Sequence, residues 1–262
     1  MRPEITESSY AWALVNDLVN NSGYRLTAAP EFPNLRDEGT KKGYDVKLEV
    51  GAIPLFLQFK LSEFMIGQTA REYRDGLVSL PFYRMHIRPS WLSSQHDMLL
   101  SLESRGYSVF YTAPYFHKVV ELNHFYLTGR VRLESFMVAP SLIGPLPDHK
   151  PHRVSFERNG RWYFLSEPKP IESGLDWEQL SEFLASQIRD SSGTQTELSA
   201  RLSELLEDMQ KIIVEFTQFD AFASSNLYRE SERGIVSQIT YFAKTFFDCD
   251  FFMISDGQGS GT

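Results

Sequence analysis

Asp45, Gln58 and Lys60 put an acid, an amide and an amine within sixteen residues of one another. Brought to one spot, an acid and an amide offer oxygen atoms of the kind a hard divalent cation takes as ligands. Such a cation can lower the pKa of a bound water and stabilise charge growing on phosphate oxygens. The plainer chemistry for the same residues is a cross-strand Asp45–Lys60 ion pair on an exposed sheet face, a common and weak interaction. Both readings require the three side chains to share a face, so the question passes to the strands that carry them.

Side chains alternate faces along a strand. The spacing predicts two strands, Tyr44–Val50 and Leu55–Leu61, joined by Gly51-Ala52-Ile53-Pro54 as a four-residue hairpin connection. That connection pairs Val50 with Leu55, Leu48 with Leu57, Val46 with Phe59 and Tyr44 with Leu61. Every apolar residue except Phe56 then falls on one face. The other face sets Asp45 opposite Lys60, Lys47 opposite Gln58 and Glu49 opposite Phe56. A slip of one residue would mix the faces, which specifies the register. Asp45 and Lys60 are expected about 5 Å apart at Cβ.

Asp45, twelve intervening residues and then Gln58-Phe59-Lys60 resembles the PD-(D/E)XK nuclease superfamily, in the QxK variant of Mrr-like restriction enzymes. The resemblance covers roughly residues 5–114. It implies an α/β fold with a restriction-endonuclease-like core: helix, β-hairpin, helix and strand around a mixed sheet, followed here by a helical C-terminal region. It implies that Asp45 ligates Mg2+ or Mn2+, that Gln58 fills the second ligand position through its amide oxygen, and that the Phe59 carbonyl adds another oxygen. Lys60 would orient or deprotonate the attacking water and balance phosphate charge. Many members take a further carboxylate from the first helix, where Glu7 shares a face with Tyr10 and Leu14. A first-turn Glu stabilised by the helix dipole is the plainer role for Glu7. Gln58 in place of the more usual Glu removes one negative charge. That leaves two expectations open: a DNA endonuclease of a bacterial restriction or anti-phage defence system, or a catalytically silent scaffold of the same fold. RNA stays open as a substrate.

Lys41 and Lys42 precede Asp45, Lys47 shares its face, and Arg84, His86 and Arg88 lie on one face of a strand expected over 82–88. These are candidate phosphate contacts, with an ordinary solvated surface as the alternative. Gln95 and His96 open the next helix and either reach the site or cap the helix. His117 and His124 stand seven apart with no third metal ligand in view, so packing is the preferred reading. The chain has no nucleophile elbow, no phosphate-binding P-loop and no dinucleotide-binding glycine motif.

The positioning elements follow from periodicity. A helix is expected over 6–21, with Thr6 as N-cap and Tyr10, Leu14, Val15 and Leu18 at helical spacing. Another runs 94–105, and the apolar stretch 107–113 reads as a buried strand closed by Pro114. Val154–Phe156 and Trp162–Leu165 flank Asn159-Gly160, a strong hairpin signal. After residue 172 the pattern turns helical. Leu198, Leu202, Leu205, Met209, Ile212, Phe216 and Phe219 make a heptad seam, expected to serve self-association or a partner protein. The expected division is therefore residues 1–170 as the nuclease-like domain and 171–262 as the helical region.

Charge follows the same division. The net charge is −8, yet residues 1–170 hold 20 Lys and Arg against 18 Asp and Glu, and residues 171–262 hold 6 against 16. Local positive potential, not whole-chain charge, governs phosphate binding, so the first part is compatible with DNA. A hydrophobic fraction of 42% suffices for a core. Cys249 is the only cysteine, which excludes an internal disulfide and a thiolate zinc cluster. No apolar run approaches the ~20 residues that span a bilayer and no signal peptide is evident, so a cytoplasmic protein without membrane contact is expected.

Overall fold

The computed structural model describes residues 1–27, 51–148, 150–158, 160–165, 168–171, 174–191, 193–217 and 232–256. Asp45, Lys41, Lys42, Lys47, Glu49 and the expected strand Tyr44–Val50 lie outside the described residues. Among the described residues the fold is mixed α/β, with eight α-helices and ten strands in two five-stranded sheets.

Helix α1 (Glu7–Asn21) starts where its cap predicts: the Thr6 hydroxyl accepts from the Ser9 amide at 3.1 Å. Strand β1 (Tyr24–Leu26) follows, and β2 (Ile53–Phe59) begins two residues earlier than expected. After β2 the chain leaves to build part of the second sheet with β3 (Glu63–Met65), the single turn α2 (Arg71–Arg74) and β4 (Phe82–Ile87). It returns through α3 (Gln95–Ser104) into β5 (Ser108–Pro114), which lies parallel to β2 with Leu55 beside Ser108 and Phe59 beside Thr112. Then come α4 (Val119–Leu127), β6 (Ser135–Val138) and the single turn α5 (Pro140–Ile143). Strands β7 (His152–Phe156), β8 (Trp162–Leu165) and β9 (Lys169–Ile171) complete the second sheet, in the order β3-β4-β7-β8-β9. The hairpin expected around residues 159–160 is present, with Phe156 opposite Trp162.

Helices α6 (Trp177–Asp190), α7 (Gln195–Thr217) and α8 (Glu232–Thr245) follow the helical pattern. The strand after them, β10 (Asp250–Asp256), was not expected. It enters the first sheet between β1 and β2, giving the order β1-β10-β2-β5-β6. The segment 171–262, expected as a helical appendage, therefore contributes a central strand to the sheet that holds β2.

This insertion corrects the hairpin. The antiparallel neighbour of β2 is β10, with Phe252 opposite Leu55 and Asp250 opposite Leu57. On its other side β2 pairs with β5. A strand has two hydrogen-bonding edges, and both are occupied at Leu55 and Leu57. The ladder positions the hairpin gave to Val50 and Leu48 are filled by Phe252 and Asp250 of β10.

Within β2 the side chains alternate as expected. Ile53, Leu55, Leu57 and Phe59 pack into one apolar cluster with α1 and α6, through Tyr10, Leu14, Leu180 and Leu184. Phe56 faces the opposite cluster with α3, α7 and α8, through Leu99, Leu205 and Phe242. The first sheet is thus covered by helices on both sides, so β2 is buried along nearly its whole length. The same cluster corrects the heptad seam. Leu198, Leu202, Leu205, Met209 and Ile212 are at most 2% exposed within this one chain, and Phe216 packs beside them. Their apolar surface is already covered by the chain's own helices and sheet, which removes them as an oligomer or partner interface. Phe219 lies outside the described residues.

Candidate active site

The carboxyl ends of parallel strands are where open α/β sheets bind ligands, because the chain diverges there and leaves a crevice. In this fold that place is the end of β2 and β5, and Gln58, Phe59 and Lys60 occupy it. The Lys60 amide extends the parallel ladder by donating to the Thr112 carbonyl at 2.8 Å. Helix α1 is pinned over the same end. The Tyr10 hydroxyl lies 2.9 Å from Thr112 Oγ1, and its ring meets Phe59 edge-on at 5.8 Å between centroids. Glu7, nearly one turn ahead of Tyr10, is thereby carried within electrostatic reach of Lys60.

Lys60 is only 7% exposed and Gln58 only 1%. Burial pushes the Lys60 ammonium below its usual range, Glu7 and Asp248 pull it back upward, and Arg88 presses it further down. Its Nζ stands 6.0 Å from the centre of the Tyr111 ring. Tyr111 is fixed in turn by His96. Burial holds the His96 imidazole below its usual value and therefore neutral. Its Nε2 meets the Gly144 carbonyl at 2.8 Å, which requires a proton on that nitrogen, so Nδ1 accepts the Tyr111 hydroxyl at 2.8 Å. His96, one of the two helix-opening candidates, thus reaches the site through Tyr111. The Gln95 amide oxygen is buried without a partner among the described residues.

The carboxylate beside Gln58 and Lys60 is Asp248, which the sequence had not singled out. It sits just ahead of β10, two residues before the Asp250–Leu57 pair. Continued by two residues, the register sets Asp248 across from Phe59, one residue short of the place opposite Lys60 that the hairpin reading had given to Asp45. The Gln58 amide nitrogen approaches Asp248 Oδ2 at 3.4 Å, and the Arg88 guanidinium lies 3.9 Å from the same oxygen. Asp248 has φ +51°, the one non-glycine residue in the left-handed region among those described. Left-handed backbone is unfavourable for a residue with a Cβ, although Asp tolerates it better than most. Such conformations concentrate where a side chain must be aimed.

The arrangement fits a hard cation in part. Among the described residues the Gln58 Oε1 is buried with no hydrogen-bond partner, and an orphaned acceptor of that kind is costly unless something binds it. Asp248 and Glu7 supply carboxylates nearby. Among the described residues no group of three His, Cys, Asp or Glu side chains is placed to hold a metal, so a cation bound here would need the amide oxygen among its donors.

The other sequence candidates separate. Arg84 is drawn away from any phosphate: its Nε bonds Glu63 at 2.6 Å and its Nη1 lies 3.7 Å from buried Glu72. His86 reaches the same Glu63 at 3.2 Å. Arg88 alone of the three turns to the Lys60 site, and its side chain is 58% exposed. His117 is buried and stacks on Phe64 at 4.7 Å, while His124 is exposed. Cys249 is buried and its thiol is pushed well up by that burial, so it is no nucleophile. On the α1 face of the first sheet a groove is walled by Leu18, Leu55, Trp177 and Phe252. It is almost wholly apolar and holds none of these groups. No helix among the described residues is long and apolar enough to cross a membrane.

No protein-family model, no curated protein and no solved structure matches the chain.

Proposed function

We propose that the protein is a metal-dependent phosphodiesterase acting on DNA, with Gln58, Lys60 and Asp248 as its reacting centre and Glu7 at its edge. The observation that carries the reading is the buried lysine at the carboxyl end of β2, set beside an orphaned amide oxygen and a carboxylate on left-handed backbone. A buried ammonium is destabilising; a site for a polyanionic substrate gives it a use.

Asp248, the Gln58 amide oxygen, the Phe59 carbonyl and Glu7 are the oxygens available to Mg2+ or Mn2+. Bound there, the cation would supply an activated water and neutralise phosphate charge. The chain's own residues do the rest. Lys60, with its proton loosened by burial, can hold that water and share its proton. Tyr111, locked by His96, walls the ammonium into one place. Arg88 is the exposed cation that can hold a neighbouring phosphate. The resemblance to restriction-type nucleases motivates a defence setting.

The test is cleavage of supercoiled plasmid with Mg2+ or Mn2+ by the wild type, Lys60→Met and Asp248→Asn. Asn keeps the tolerance for left-handed backbone and removes only the charge. Loss of nicking by at least 100-fold in both variants, with unchanged melting cooperativity, is the expected result. Equal nicking by all three would sink the reading. The neutral Gln58 favours one alternative, a silent scaffold of the same architecture, which predicts no metal-dependent cleavage by any of them.

A further inference from the structure

The chain between β4 and α3, which joins Arg88 to His96, carries two large apolar side chains in water. Trp91 is 64% exposed and Leu92 60%. Both ends of their loop are tied to the reacting centre. At one end Arg88 lies against Asp248 and bears on the charge of Lys60. At the other His96 holds the Tyr111 ring that faces Lys60. A turn in which the Leu92 and Ser93 amides both donate to the Pro89 carbonyl, at 2.9 and 3.2 Å, compacts the loop. Three residues of chain keep the Trp91 Cα within about 10 Å of the Arg88 Cα. An exposed indole carried that close in the chain to the Arg88 guanidinium fits a planar, apolar group joined to a phosphate. That description matches a nucleobase out of its stack.

We infer that the Trp91–Leu92 turn is a platform for an unstacked nucleobase, and that single-stranded or locally opened nucleic acid is the preferred substrate form. The inference rests on the phosphodiesterase reading and adds to it the state of the substrate. Arg88 holds the phosphate next to the reacting one. The indole takes the base by stacking, and Leu92 packs at its edge as an apolar wedge. Stacking needs no hydrogen-bond readout, so the platform accepts any base. Inside a blunt duplex the bases stack on one another, and only the two end pairs keep one open face each.

The test is a tryptophan-fluorescence titration in EDTA with a single-stranded DNA oligonucleotide, the matching RNA and the blunt DNA duplex. The single strand is expected to quench the emission and bind more tightly than the duplex. Trp91→Ala should weaken that binding by about 5- to 140-fold, the range of base–aromatic stacking. Trp91→Phe should bind within about threefold of wild type yet lose the quenching, because Phe can still stack. Trp12→Phe, which removes the other exposed tryptophan, should keep it. The RNA arm identifies the sugar, and quenching by either single strand supports the platform. Unchanged affinity in Trp91→Ala, tighter binding of the duplex, or no binding of any single strand overturns the inference. Lys60-dependent plasmid cleavage is scored separately, so a failed platform and a failed phosphodiesterase remain distinguishable.

Discussion

A lysine with 7% of its surface exposed is the residue on which most depends. Its burial disfavours the charged form, so the folded chain releases that proton at a lower pH than the unfolded chain, whose lysines hold theirs to about 10.4. Between the folded value and that limit the unfolded state binds more protons, and this contribution makes stability rise with pH. Below the folded value the penalty is present in full. Lys60→Met should therefore raise neutral-pH stability by about 1 kcal/mol or more while abolishing cleavage. It should also flatten the alkaline rise relative to wild type, as urea midpoints across pH would record. A Lys60→Met protein less stable than wild type at neutral pH would mean the ammonium is net stabilising there. Gln58 and Lys60 were legible because their neighbours alternate; Phe56, Leu57 and Phe59 fix which way each side chain points. Asp248 was not, since Asp-Cys-Asp in sequence says nothing about which strand end it will meet.

Elements with local signals came through. The Thr6 cap marked α1, Asn159-Gly160 marked the β7–β8 pair, and Pro114 marked the end of β5. Strand β10 did not, because its partner Leu55 lies 197 residues away from Phe252 and no turn joins them. One signal was there to find: Phe251-Phe252-Met253-Ile254 is a short apolar run bounded by polar residues, the mark of a strand buried on both faces. The heptad seam misled for a related reason, since a stripe that closes a coiled coil can equally close an intrachain core. If β10 is a core strand, Phe252→Ala should lower stability by about 3–5 kcal/mol, the range for a buried aromatic. A loss under about 1 kcal/mol in urea denaturation would place Phe252 at a dispensable edge.

At the scale of the whole molecule, α7 and α8 act as a lid on one face of the first sheet, and nothing they bury is left for a second copy. Leu205→Asp tests this. With Leu205 1% exposed inside the chain, the charge should unfold the protein at every concentration, because an unpaired carboxylate cannot stay in that core. A folded, merely dissociated monomer, seen by sedimentation with its helical signal intact, would instead restore the seam as an interface. The placement of β10 also has a consequence in time. Glu7, Gln58, Lys60 and Asp248 are strung along nearly the full chain, and ribosomes deliver it from the amino end at about 5–20 residues per second. For most of its synthesis the nascent polypeptide carries Glu7, the amide and the lysine without the Asp248 carboxylate, and without the strand that lies between β1 and β2. On the proposed reading, a hydrolytic centre assembled this way would stay inert during translation until β10 takes its place beside β2.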